Sequence, residues 1–281
     1  MVVDDGSTDD TEELIQKLKK ENKVEISFYK IAKGGQHKAL QLGFDKASTK
    51  YLIKLDSDDV LTCDAIESYK KSWKTIEKEL RTDIGNISAL SGSAQNDIVG
   101  SWRFPEGVGH IDSDWFEMVL KFRNNNDLSS CTRTSILKEI YPPDYSFWNE
   151  DKTNIIDGVL LPRLSRHCKT RYINKTLQLI YFDAPFSSLR SMNSYANKFW
   201  KVLIDNTYFL NENIDHFFWN PGYYIRLILK LIISKKICGI GLKELFVQTD
   251  NNFLRLLIIL FYPLSLLFYA YYKYIRREFW I

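Results

Sequence analysis

Two acidic stretches of this 281-residue chain have residue types and spacing suited to chemistry: Asp56-Ser57-Asp58-Asp59, and Asp4-Asp5 near the start. A hard divalent cation wants several carboxylate or phosphate oxygens, and Mg²⁺ or Mn²⁺ commonly bridges protein acids to the phosphates of a substrate. Asp56 and Asp58, two apart on a turn, can reach one such ion. Two other chemistries use the same residues. Asp56-Ser57-Asp58-Asp59-Val60 also fits the motif of haloacid-dehalogenase-like phosphatases, with Asp56 as the nucleophile on phosphorus. Asp56, Asp58 and Glu67 fall at positions 1, 3 and 12 of a calcium loop, but Leu61 stands where that loop needs glycine for its turn. The calcium reading fails there; the phosphatase reading stays open.

The elements around these acids decide where they point. "VVD" (2–4) leads as a strand into Asp4-Asp5, and "STDDTEELIQKLKKEN" follows as a helix. Ser7 or Thr8 is the expected cap, acids crowd the helix start, Lys17, Lys19 and Lys20 lie near its end, and Leu14, Ile15 and Leu18 form an inner stripe. "VEISFY" (24–29) reads as a strand, "GQHKALQLGFDKAS" as a helix with Ala39, Leu40, Gly43, Phe44 and Ala47 on one face, and "YLIKL" (51–55) as a strand. A helix over about 64–80 turns Ile66, Tyr69, Trp73, Ile76 and Leu80 inward. Strands near 87–92 and 97–103, a helix over 155–167 and strands over 171–183 follow. Strand–helix alternation with short joints predicts an α/β fold with a mostly parallel sheet flanked by helices. In such sheets ligands sit at the carboxyl ends of strands, and both acidic stretches fall there. Like charges gathered in one crevice suit a cation or a ligand better than they suit a fold.

Composition narrows the class. A hydrophobic fraction of 45% with 26% charged residues is that of an ordinary globular protein. Cys63, Cys131, Cys168 and Cys238 are far apart and form no metal-ligand spacing, which fits idle thiols in a reducing compartment. Met1 runs straight into acids, where a secretory leader would need a basic and then an apolar run. The expectation is a cytoplasmic body. Residues 216–281 hold nine Lys or Arg against three Asp or Glu, so this stretch carries +6 in a chain of +3. That basic, aromatic tail points to a membrane surface, and no nucleic-acid motif appears elsewhere.

"VVDDGSTDDT" (2–11) followed by "KGGQHKALQLGFDKASTKYLIKLDSDD" (33–59) resembles the nucleotide-sugar-binding half of family 2 glycosyltransferases with the GT-A fold. The resemblance covers residues 2–59 closely and continues more loosely to about Arg190. It implies that Asp4 and Asp5 hold the base and ribose of the donor, with Asp5 on a uracil. Lys33, Gly34, Gly35 and Lys38 then lie along the donor, and Asp56 and Asp58 hold Mn²⁺ or Mg²⁺ on its diphosphate. His37, in the same stretch, reads as a surface polar residue. The resemblance also implies a catalytic base at a Glu-Asp followed by Arg-Leu. "IIDGVLLPRL" (155–164) matches with Asp157 and Arg163 but has Ile156 for the Glu; Glu150-Asp151 offers the dipeptide at another distance. Asp157 is the favoured base, with Asp151 and Glu150 as alternatives.

Members of that family begin with a strand and a helix ahead of the "VVDD" strand, so residues 1–190 read as an N-terminally truncated catalytic domain. An inactive donor-binding module and a structural membrane-surface protein are the alternatives that follow. Residues 191–281 read as a helical, membrane-associated region. "FLRLLIILFYPLSLLFYAYYKYI" (253–275) is long enough to span a bilayer, yet one span with a cytosolic catalytic domain sends Lys273, Arg276 and Arg277 outward, against the positive-inside tendency. "YYIRLILKLIISKK" (223–236) suits the interface plane. The expected partners are a nucleotide-sugar donor, a saccharide or lipid-linked acceptor and the cytoplasmic face of the cell membrane. Aromatics in 101–127 suggest sugar stacking.

Overall fold

The computed structural model describes residues 1–93, 97–141, 157–181, 195–271 and 273. The chain begins with strand β1 (Val2–Asp4), helix α1 (Thr11–Glu21), β2 (Phe28–Lys30) and α2 (Gln36–Lys46). β1 and β2 pair in parallel, Val3 opposite Tyr29, as a two-stranded sheet. Helix α1 starts later than expected. Asp10 precedes its first turn, Asp9 Oδ1 accepts from Thr11 N and Oγ1, and Ser7 belongs to the loop before it. Only Ile15 of its apolar stripe is buried; Leu14 and Leu18 remain exposed because α1 packs on a sheet only two strands wide.

The main sheet comprises β3 (Tyr51–Ile53), β4 (Val60–Leu61), β5 (Ile84–Ser93), β6 (His110–Ser113), β7 (Leu128–Arg133) and β8 (Lys169–Ile180). Its order is β3-β7-β5-β8-β4, and β6 pairs with the first half of the long β8. The α/β class holds, but the mostly parallel expectation does not carry through this sheet. Only β5 and β8 run parallel there; β3–β7, β5–β7, β4–β8 and β6–β8 are antiparallel. Parallel neighbours need a crossover helix, and the chain between β5 and β7 offers only a five-residue π-helical turn (Glu117–Lys121) among its described residues. The strand expected over 97–103 reduces to one bridge, Gly92 to Ile98.

β5 is buried on both faces over nearly its whole length. One face carries Ile87 and Ala89 into a core with Ile84, Leu177 and α3 (Ala65–Lys78), which contributes Ala65, Tyr69, Trp73 and Ile76. Ile66 and Leu80, expected inward, are exposed: Ile66 lies off the buried stripe, and Leu80 follows the helix at φ +53°. β5 also carries a buried polar seam. Asn86 Oδ1 accepts from Thr132 Oγ1 (2.7 Å), Asn86 Nδ2 donates to Ser88 (3.0 Å) and Thr170 (3.2 Å), and Ser88 meets Ser130 (3.0 Å). These bonds tie the three central strands through side chains.

Helices α4 (Thr134–Ile140) and α5 (Asp157–His167) cover the other side, where Leu137, Ile140 and Leu164 meet Phe44 of α2. Beyond β8 come α6 (Tyr195–Asn213), a 3₁₀ helix (Ile214–Trp219), α7 (Pro221–Ile237), α8 (Leu242–Val247) and α9 (Asn252–Tyr271). Their apolar core also takes in Phe116, Leu120 and Val159, so it continues into the sheet domain. Arg163 and Arg166, one turn apart on α5, bind Glu212 and Asp215 across this junction.

Candidate functional site

Three loops build the site, each leaving a strand or opening a helix. After β1 the backbone turns at Gly6 (φ +73°), whose missing Cβ would meet the backbone N of Lys33 at 2.8 Å. Only glycine allows so close an approach of the two loops. Asp5 fastens it: its carboxylate accepts from the backbone N–H of Gly34 (2.8 Å) and of Gly35 (2.9 Å). Gly35 (φ +93°) then opens α2, which has no acid of its own in its first turn, so Asp5 supplies the negative charge that a helix start favours. Asp4 is buried. Its Oδ1 accepts from Ser7 N (2.9 Å), and Lys30 Nζ lies 3.9 Å from its Oδ2.

The third loop joins through α2. Gln36 Nε2 donates to Asp56 Oδ1 (3.3 Å), with Lys54 Nζ 3.7 Å from the same oxygen. Asp59 N donates to Asp56 O (3.1 Å), so residues 56–59 form a tight turn carrying three carboxylates. Asp59 Oδ2 accepts from Gln178 Nε2 of β8 (2.6 Å). Burial raises the proton affinity of Asp59 above the ordinary carboxylate range, and the negative charges of Asp58, Asp56 and Asp127 add to that, against the Gln178 hydrogen bond. A cation beside this turn would relieve that crowding.

The sequence-predicted donor residues therefore assemble: Asp4 and Asp5, Gly35 and the adjoining Lys33 and Lys38, and Asp56 and Asp58 lie on three loops bonded to one another. Lys33 is exposed, and the Lys38 stem covers Gly34, where a Cβ would meet its Cδ at 2.6 Å. His37 is buried at 5% exposure, not on the surface, because its turn of α2 packs on α4 and its carbonyl accepts from Tyr141 Oη (2.5 Å). Asp157 is the first residue of α5. Asp151 and Glu150 lie outside the described residues. Three participants were not apparent in the sequence: Gln36, Gln178 and Asp127. Gln36 directly follows the Gly-Gly pair and was open to notice, whereas Gln178 is 119 residues from the acid it serves.

Among the described residues no three His, Cys, Asp or Glu side chains enclose a metal ion by themselves. The donor set nonetheless fits a divalent ion of the Mg²⁺ or Mn²⁺ kind, which is usually held by one or two carboxylates and completed by water and substrate phosphate. The loop over 100–104 stands beside Asp127. Asn125 and Asn126 clamp it through Ser101 N (3.1 Å) and Trp102 N (3.0 Å), and Asn126 packs so closely on Gly100 (φ +105°) that a Cβ would meet it at 2.2 Å. Trp102 and Phe104 meet edge to face at 4.7 Å on this loop. Trp115 and Phe116, also expected to stack on sugar, instead pack with Phe209 and the helical core.

Comparison with known proteins fits this arrangement. Residues 1–80 match the family "Glycosyl transferase family 2". The poly-beta-1,6-N-acetyl-D-glucosamine synthase of Staphylococcus epidermidis is 32% identical over 99 residues, or 34% of this chain and 24% of that protein. The protein of the same name from Staphylococcus aureus (strain COL) is 33% identical over 100 residues, again 34% and 24%. The chain thus matches about a quarter of the length of these relatives. In three dimensions the chain is similar to S. aureus TarS 1–349 in complex with UDP-GlcNAc, with TM-score 0.55 and 14% identity over 100% of this chain and 83% of that one. The complex of TarS 1–349 with UDP gives 0.52 and 15%. At such identity the likeness shows the fold, which is GT-A. The match over residues 1–80 spans both acidic motifs, whereas the phosphatase reading of Asp56 accounts for only one of them.

Proposed function

We propose that this family 2 glycosyltransferase domain moves a sugar from a nucleotide-diphosphate donor, a UDP-sugar, to a hydroxyl of a saccharide or lipid-linked saccharide, in the synthesis of a bacterial surface polysaccharide. One observation carries the reading: Asp5 bonded to Gly34 and Gly35, and Gln36 bonded to Asp56, make one continuous wall of the two acidic motifs. UDP-GlcNAc is the donor to try first, because TarS is solved in complex with it and the staphylococcal relatives are named for an N-acetylglucosamine polymer.

Asp4 and Asp5 take the base and ribose end. Lys33, Gly35 and Lys38 lie along the phosphates, where positive charge favours an anion. Asp56 and Asp58 would hold Mg²⁺ or Mn²⁺, which when bound neutralises charge on the departing diphosphate. The acceptor oxygen bonds to the anomeric carbon as the carbon–oxygen bond to the diphosphate breaks, with inversion. The hydroxyl proton passes to a carboxylate, which we assign to Asp157, with Asp151 and Glu150 as alternatives. Trp102 and Phe104 form an acceptor wall. The tail keeps the enzyme at the cytoplasmic face of the cell membrane, through residues 253–275.

Calorimetric titration of UDP and UDP-GlcNAc, with Mn²⁺ and with EDTA, tests the donor site beside Asp58→Ala. Metal-dependent binding that the substitution abolishes is the expected result. A folded protein that binds neither ligand would refute donor use.

A further inference from the structure

Helix α9 has two unlike sides. The inner side packs on α7 and on the 3₁₀ helix before it. Phe253 in the first turn meets Phe217 at 5.4 Å, Leu254 and Ile258 enter one cluster with Tyr224 and Ile228, and Lys236 at the end of α7 lies over the Tyr269 ring at 4.6 Å. The outer side carries Leu256, Leu260, Leu264 and Leu267, spaced by four, four and three residues, all exposed. No charged residue interrupts α9 after Arg255, and Phe218, 77% exposed, stacks on Phe253 at 6.1 Å to prolong the stripe. A helix of 20 residues is about 30 Å long, so its outer side is a continuous apolar face of the kind that marks an interaction surface.

We infer that this stripe docks on an anionic lipid bilayer with α9 lying in the membrane plane, sunk on its outer side only, and with Phe218 and Trp219 entering beside its first turn. Among the described residues α9 is the helix long and apolar enough to cross a membrane. Its packing argues against crossing. α7 runs beside it, carries Arg226, Lys230, Lys235 and Lys236, and is itself held by α6 and the shared core, so a spanning α9 would draw those charges into hydrocarbon. The rim argues for lipid over a second copy of the chain. Exposed Lys236 and Lys273 both lie over Tyr269, at 4.6 and 5.6 Å. Aromatic rings topped by ammonium groups at the edge of an apolar face suit the headgroup level of an acidic membrane, whereas two copies would bring like charges together.

The test needs no sugar chemistry, so it stands or falls apart from the donor-site reading. Single cysteines at 256, 260, 264 and 267, in the full chain with exposed Cys63→Ser, are labelled with a polarity-sensitive fluorophore. They are bound to vesicles of phosphatidylcholine and phosphatidylglycerol, and quenched by lipids carrying nitroxides at two depths. One shallow depth shared by all four positions is expected. A depth that changes steadily along the helix would overturn the in-plane placement in favour of a span. Leu256→Glu with Leu260→Glu should weaken vesicle partition at least tenfold with the circular dichroism unchanged, and Phe218→Ser with Trp219→Ser several-fold. Equal partition onto phosphatidylcholine alone would overturn the anionic requirement. A folded protein that ignores vesicles, or a dimer that these glutamates dissociate, would overturn the bilayer as occupant.

Discussion

The two-stranded sheet that carries Asp4 and the six-stranded sheet beside it lie in one domain but are held by different means. β5 and its neighbours are fixed by burial: Ile76, Ile84, Ile87 and Leu177 are fully enclosed, and the Asn86 seam satisfies the polar groups among them. The β1–β2 side has little to bury. Val2 and Val3 are only half covered, Leu14 and Leu18 face solvent, and hydrogen bonds from carboxylates to backbone N–H groups set the loops. The large sheet is thus held mainly by burial, and the acidic loops beside it by polar bonds to the backbone. A site held by polar bonds can rearrange around a ligand at small cost, whereas a packed strand cannot.

Truncating one apolar side chain in each sheet should give the largest difference. Ile87→Ala should cost about 2–5 kcal/mol, as buried large-to-small changes do. Leu14→Ala should stay within about 0.5 kcal/mol, as exposed changes do. Chemical denaturation of both variants decides it, and comparable losses would mean that the small sheet is as well packed as the large one. Next in size is Asp5→Asn. The amide retains one acceptor but turns its NH₂ toward an N–H donor, and a hydrogen bond to a charged group is worth about 1.5–3 kcal/mol. Faster proteolysis near Lys33 and weaker UDP binding are expected, with the core melting largely intact.

The smallest effect is a pH dependence carried by an ion-pair cluster on the large sheet. Buried Arg171 donates to both oxygens of Asp112 (2.7 Å each) and to Glu79 (2.6 Å), while Arg81 bridges Asp112 and Asp83. Burial pushes the Asp112 carboxyl up, but the Arg171 bonds and charge outweigh it and hold it below its ordinary value. The Arg81 hydrogen bonds lower Asp83 to about 2. Both groups are depressed in the folded state, so their stabilisation is complete above the unfolded value near 3.8 and drains as pH falls toward about 2. Melting curves between about pH 4 and 2 should show that loss in the native chain and a shallower one in Asp83→Asn.

What the sequence made legible follows the range of the interactions. Acids at strand ends and the Gly-Gly opening of α2 are local signals, and they lie where expected. Stripes on helices were legible only where something covers them. Tyr69, Trp73 and Ile76 are buried under β5, while Leu18 is not, because nothing in its own helix tells how wide the sheet beneath it is. The antiparallel strands were missed because helix alternation in the first third does not continue between β5 and β7. Gln178 and Asp127 reach the Asp56–Asp59 turn only through the strand order of the folded sheet.

The paired grip of α5 on α6 has a practical consequence. Arg163 forks onto Glu212 and donates to the carbonyl of Ile140 (3.3 Å), while Arg166 takes Asn213 (2.9 Å) and Asp215 (2.6 Å). The helix that begins at Asp157 is thus bolted to the region that ends in α9, and the tail is no interchangeable tether. A chimera with another anchor would strand two guanidinium groups unless it kept acids at these positions. With the tail docked on a bilayer as proposed above, the joint would act as a spacer of fixed length that sets how high the acidic crevice stands above the lipid.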